Sequence, residues 1–160
     1  MTGSNPSIKV TRRSAWDLAQ IEAYLIGARI PLRLACNGGK GFPSLASLWF
    51  EYREGRLWCA THASSAILRL IEHDPRCAFE IATNEAPYFG VRGQAEVTLT
   101  RDGAGELLER LIGRYLGESN PGLSRWLMSR VDEEYALCLV PTWVSAWDYR
   151  GRMATAAPGS

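Results

Sequence analysis

Apolar residues recur at two spacings along this chain, and the switches between them mark out its elements. Trp16, Ala19, Ile21, Ala23, Tyr24 and Ile26 follow helical spacing, with Ser14 as an N-cap and Gly27 and Pro31 as stops, so a helix is expected over about 15–26. The period then falls to two. Leu32, Leu34 and Cys36 alternate with Arg33 and Ala35 before a glycine-rich turn at 37–41. Residues 42–52 return, Arg53-Glu54-Gly55 turns again, and 56–61 reads as a third strand. Short turns join neighbouring antiparallel strands, so 32–61 is expected as a meander.

Ser64 and Ser65 stand ready to cap a short helix over 66–73, which Asp74-Pro75 ends. Strands are expected at 76–83 and 88–99. Gly93, in the middle of the second, marks a bulge, a barrel corner or a close approach. Leu107, Leu108, Leu111, Ile112 and Tyr115 form one stripe of a helix over 102–116, and a shorter helix is expected over 123–128. Two strands, 135–140 and 143–149, close the pattern on either side of Pro141.

The sum is about six to seven short antiparallel strands with peripheral helices, a mainly β pattern that fits a barrel or sandwich better than a parallel sheet. The 160 residues suit one domain over 14–150, with a flexible N-terminal arm at 1–13 and a disordered tail at 151–160. The formal charge of +1, from 18 basic and 17 acidic residues, argues against a nucleic-acid binder. The first ten residues lack the apolar run of a signal peptide and no stretch has the length of a membrane helix, so a cytoplasmic protein without membrane contact is expected. Cys36, Cys59, Cys77 and Cys138 form no CxxC pair and read as small buried hydrophobes.

Candidate chemistry is sparse. The two histidines, His62 and His73, have no metal-site spacing, and no metal is expected. The stretch Cys59-Ala60-Thr61-His62-Ala63-Ser64-Ser65 runs from a strand end into a helix start. Exposed amides there, with the hydroxyls of Thr61, Ser64 and Ser65, form either a phosphate cradle or a plain cap. Six Trp, among them Trp49, Trp58, Trp143 and Trp147, are either core packing or the wall of a site for a planar group.

Taken in order, five pieces of this sequence resemble the pyridoxamine 5'-phosphate oxidase-like family, the FMN-binding split barrels. They are Pro43-Ser44-Leu45-Ala46-Ser47-Leu48-Trp49-Phe50, Arg56-Leu57-Trp58-Cys59-Ala60-Thr61, and Ser65 followed by Pro75-Arg76. Gly90-Val91-Arg92-Gly93-Gln94-Ala95 and Pro141 with Trp147-Asp148 complete the set. The resemblance covers about 14–150. It implies a split β-barrel, a homodimer with cofactor sites at the interface, and two-electron chemistry on a small molecule. The cofactor would be FMN, with F420 or haem as alternatives. It also implies that Leu45, Ser47 and Trp49 run beside the ring, that Thr61, Ser64 and Ser65 approach the phosphate, and that Tyr88 and Trp147 border the ring or substrate. No catalytic acid or base stands out. The family's basic pair after the serine falls at Ala66 and Ile67, both uncharged. That departure leaves open a non-catalytic cofactor or haem binder and a cofactor-free dimeric scaffold.

Overall fold

In this computed structural model, residues 8–155 are described. Seven strands form one antiparallel sheet: β1 (Leu32–Asn37), β2 (Pro43–Leu48), β3 (Phe50–Arg53), β4 (Arg56–His62), β5 (Arg76–Ala82), β6 (Phe89–Thr100) and β7 (Glu134–Asp148). Their spatial order is β2-β1-β5-β6-β7-β4-β3. β2 and β3 are therefore the two edges, yet a single residue, Trp49, separates them in sequence. A flat sheet of seven strands spaced about 4.8 Å apart would hold its edges far too distant for that link. The sheet must curl until its edges meet, and β2 does come against β4. The outcome is a split half-barrel with helices around it.

The meander expected over 32–61 is thus broken at Trp49. β1 pairs with β2 and β3 with β4, while β2 and β3 take opposite edges. The Glu54-Gly55 turn forms as expected, with φ of 52° and 73°, the left-handed pair that a two-residue hairpin demands. Pro141 does not divide the last strand. β7 runs through it, because Thr142 is looped out as a bulge where the β6 register shifts between Gln94 and Ala95. Gly93 is required by the chain's own packing: a Cβ there would stand 2.4 Å from the Trp143 carbonyl and 2.7 Å from the Phe79 ring.

Inward residues of every strand fill the barrel. Leu32, Leu34, Phe50, Leu57, Ile81, Val91, Leu137 and Leu139 are all fully buried. Helix α1 (Leu18–Gly27) adds Ile21 and Leu25, and helix α2 (Ala66–His73) adds Ile67, Leu68 and Ile71. Asp17 rather than Ser14 caps α1, in a capping box with Gln20. Ser14 is held away, since Ala15 donates to the Ala146 carbonyl of β7 and the Ser14 hydroxyl receives the Ala146 N–H. The end of the expected arm is likewise tied down, with Thr11 donating to the Val144 carbonyl.

Helix α3 (Ala104–Tyr115) lies outside the barrel, setting Ala104, Leu107 and Leu111 against Ala136, Trp49 and Trp58. Helix α4 (Pro121–Met128) rests on α3 and buries none of its own residues. Helix α5 (Arg150–Thr155) occupies the first half of the segment expected to be disordered; 156–160 lie outside the described residues. No helix among the described residues is long and apolar enough to cross a membrane.

All four cysteines are free and buried. Burial pushes the Cys36 thiol up to about 11 and the Cys77 thiol up to about 12, and Cys59 higher still. Thiolate is the reactive form. In native protein at pH 8, Cys36, Cys59 and Cys77 should resist a thiol-specific chromogenic reagent for hours, and all four cysteines should react within minutes in denaturant. Fast labelling of any of the three in native protein would contradict this packing.

Candidate functional site

β2 ends where the chain turns at Trp49, and β4 ends at His62, so the two strand ends meet beside the start of β7. Helices α3 and α4 stand across from them. Between these elements lies a groove of about 360 Å³, a size in the range of small-molecule sites. Ser47, Trp49 and Thr61, three of the residues singled out from the sequence, line it together. Trp49 is held by stacking on Tyr115, with ring centroids 5.3 Å apart and planes 8° from parallel. Tyr115 is itself fixed, its hydroxyl donating to the Ile30 carbonyl and accepting the Phe50 N–H.

The remaining expected residues are distributed otherwise. Leu45 is on the exposed outer face of edge strand β2, 75% exposed, and borders a separate trough with Ala35, Ala78, Gln94 and Trp143. Trp147 lies on the outer face of β7 beneath the Arg92 guanidinium, 5.6 Å from its ring centroid. Tyr88 is 45% exposed just before β6. Neither Tyr88 nor Trp147 lines the groove.

The turn after Thr61 is shaped by His62. Its Nδ1 accepts the Ser64 N–H at 3.1 Å and stands 2.8 Å from the Ser64 hydroxyl. Both polar groups of Ser64 are therefore turned onto the imidazole rather than toward a ligand. Ser65 is the N-cap of α2 but makes no side-chain cap bond. Among the described residues, neither the Ser65 nor the Thr61 hydroxyl has a hydrogen-bond partner. The start of α2 thus presents first-turn amides and two hydroxyls, a donor set suited to a phosphate. It presents no side-chain cation. Ala66 is exposed, and Ile67, where the second basic residue of the resemblance would fall, is 4% exposed inside the core.

Three ionisable groove residues were not among the expected site residues: His62, Arg130 and Glu134. With Nδ1 accepting from Ser64, the ring carries its proton on Nε2. That atom is buried without a hydrogen bond, 3.2 Å from the Glu133 carboxylate but outside hydrogen-bond geometry. Glu134 faces His62 across the β4–β7 ladder and is the buried charged residue of the described core, 7% exposed. Desolvation raises its carboxyl above the ordinary range, opposed by the nearby His62 and Arg130. The sequence held one signal of it, an acid directly preceding an apolar strand run, which says nothing of burial.

A carboxyl with a raised folded-state pKa is easier to bury protonated, so its contribution to stability is fully present below the unfolded value and is lost as pH rises through the folded one. Glu134→Gln, which copies the protonated form, should raise Tm by roughly 2 °C at pH 8 and leave it unchanged at pH 4. A fall in Tm at pH 8, read by thermal denaturation, would show that the ionised carboxylate is favoured here.

No protein-family model and no curated protein matches this chain. Solved structures do. A conserved hypothetical protein from Mycobacterium tuberculosis is 19% identical and superposes with a TM-score of 0.72 over 95% of both chains. An F420 reductase is 22% identical, with a TM-score of 0.59 over 76% of this chain and 93% of its own. A Clostridium acetobutylicum protein of the pyridoxinephosphate oxidase family is 15% identical, with a TM-score of 0.58 over 81% of this chain and 91% of its own. A FAD-binding protein from Mesorhizobium loti and the haem storage protein of Vibrio cholerae, each 15% identical, share the same architecture at TM-scores of 0.59 and 0.60. Proteins named for a flavin, for F420 and for haem thus share one scaffold, and at these identities the likeness is one of fold. The chain is a split barrel of the pyridoxamine 5'-phosphate oxidase-like fold.

Proposed function

We propose that this protein is an oxidoreductase that binds a flavin or deazaflavin, FMN or F420, and acts on a small molecule. One observation carries the reading. Ser47, Trp49 and Thr61 converge on a single groove beside a helix start with unspent donors, on a fold that an F420 reductase shares. The first-turn amides of α2 with the Thr61 and Ser65 hydroxyls would hold the cofactor's phosphate. The outer edge of β2 through Trp49 would flank the ring. When bound, the ring supplies the two-electron chemistry, and the chain supplies position and electrostatics.

The uncharged start of α2 bears on affinity. Hydrogen bonds to a charged group contribute about 1.5–3 kcal/mol each, so a site with hydroxyls and amides but no cation should hold the phosphate dianion of FMN weakly. Titration of purified protein with FMN and with F420, followed by cofactor fluorescence, should give saturable binding of at least one. Thr61→Val should weaken it about tenfold. Ala66→Arg, on an exposed position, should tighten FMN at least fivefold. Absence of binding for both cofactors would overturn the proposal.

The same reading includes a homodimer with the cofactor between subunits. Leu45, at 75% exposure, lines the trough with Ala35, Ala78 and Trp143, an apolar surface that a second copy of the chain would cover. Sedimentation should give twice the chain mass, and Leu45→Asp should shift the species to monomer. A wild-type monomer at micromolar concentration would count against this part.

A further inference from the structure

Beyond the phosphate turn, the inner end of the groove has a character of its own. Its far wall is α4, which buries none of its residues although Leu123, Trp126 and Leu127 turn toward the groove. Trp126 is 53% exposed, and the Arg130 guanidinium lies 4.7 Å from its ring centroid. The opposite wall is Trp49, immobilised by Tyr115. One aromatic wall is thus fixed, and the other sits on a helix that packs on α3 and buries none of its own residues.

The polar groups at this end are mostly donors. His62 offers a buried Nε2–H without a hydrogen bond, and Arg130 makes no ion pair among the described residues. Two acids face them. Glu133, its side chain 63% exposed, stands 3.2 Å from the His62 Nε2. Glu134, buried between His62 and Arg130, is driven by desolvation toward its neutral form. A flat apolar body carrying an anionic group matches the two tryptophan walls and the Arg130 guanidinium.

We propose that this groove binds a planar aromatic carboxylate, its ring against Trp49 and Trp126 and its carboxylate on the Arg130 guanidinium. This rests on the oxidoreductase reading only in taking the ligand to be substrate; the binding itself needs no cofactor. Ring stacking supplies affinity, and the guanidinium supplies discrimination of the acid from uncharged isosteres.

Calorimetric titration with 2-naphthoate and with 2-naphthamide tests this on the purified full chain. Wild type should bind one naphthoate per chain and prefer it to the amide at least tenfold. Arg130→Gln should erase that preference while leaving amide binding unchanged. Trp126→Ala, at a half-exposed position on a helix with no buried residues, should fold normally and weaken both ligands at least fivefold. Equal binding of acid and amide by wild type, or unaltered naphthoate binding in both variants, would overturn the proposal. FMN and F420 titrations of the same samples separate the two readings. In wild type, absence of naphthoate binding with cofactor uptake intact sinks the groove proposal alone, and naphthoate binding without cofactor uptake sinks the cofactor reading alone.

Discussion

Everything in this structure turns on the corner at Trp49. One residue joins the two edge strands of a seven-stranded sheet, so curvature is imposed by covalent connectivity before any side chain contributes. The corner is then locked from outside. Tyr115, on α3, stacks on the Trp49 ring while its hydroxyl receives the neighbouring Phe50 N–H and donates to the Ile30 carbonyl. Arg114, the residue before it, donates to the carbonyls of Leu25, Ile26 and Ala28 at the end of α1. Two consecutive residues of one helix therefore hold the sheet corner and the exposed carbonyls of another helix. Curling the sheet also brings the ends of β2 and β4 together, and the groove is the space left between them under α3 and α4.

The start of α2 shows how one segment serves both core and site. Ile67 is inside the barrel, where burying such a side chain contributes about 2 kcal/mol, and a charged residue could not take that position without a large desolvation cost. What remains for a ligand is the helix terminus itself, with its amides and the Thr61 and Ser65 hydroxyls. His62 adds a second division of labour. Its Nδ1 takes the Ser64 N–H and stands beside the Ser64 hydroxyl, while its Nε2 is buried against Glu133. The turn is thereby ordered by its own histidine.

Much of the fold was legible in the chain. Alternation at period two located the strands because a half-buried strand must place its apolar residues on one side, and that is a local property. Glu54-Gly55 announced its hairpin because few residue pairs accept two left-handed conformations. Leu107, Leu108 and Leu111 marked the inward face of α3 for the same local reason. Three residues of the groove, Ser47, Trp49 and Thr61, were reached by resemblance in motif order, which carries spatial information that periodicity lacks.

The sequence by itself determined which residues face inward and where turns fall, since both follow from backbone geometry within a few residues. Tertiary structure alone decided which strands are neighbours. The alternation over 42–52 is the same whether the strand runs on or breaks at Trp49, and only closure of the whole sheet selects the break. Likewise Pro141 ends a strand by local rules, but the bulge at Thr142, set by pairing with β6, lets β7 continue. His62, Arg130 and Glu134 are ordinary surface-type residues in sequence. Burial of the Glu134 carboxylate, and the sharing of one groove by all three residues, arise only when the β4 end, the β7 start and α4 meet. Electrostatic character depends on that surrounding low-dielectric volume, which no single segment possesses.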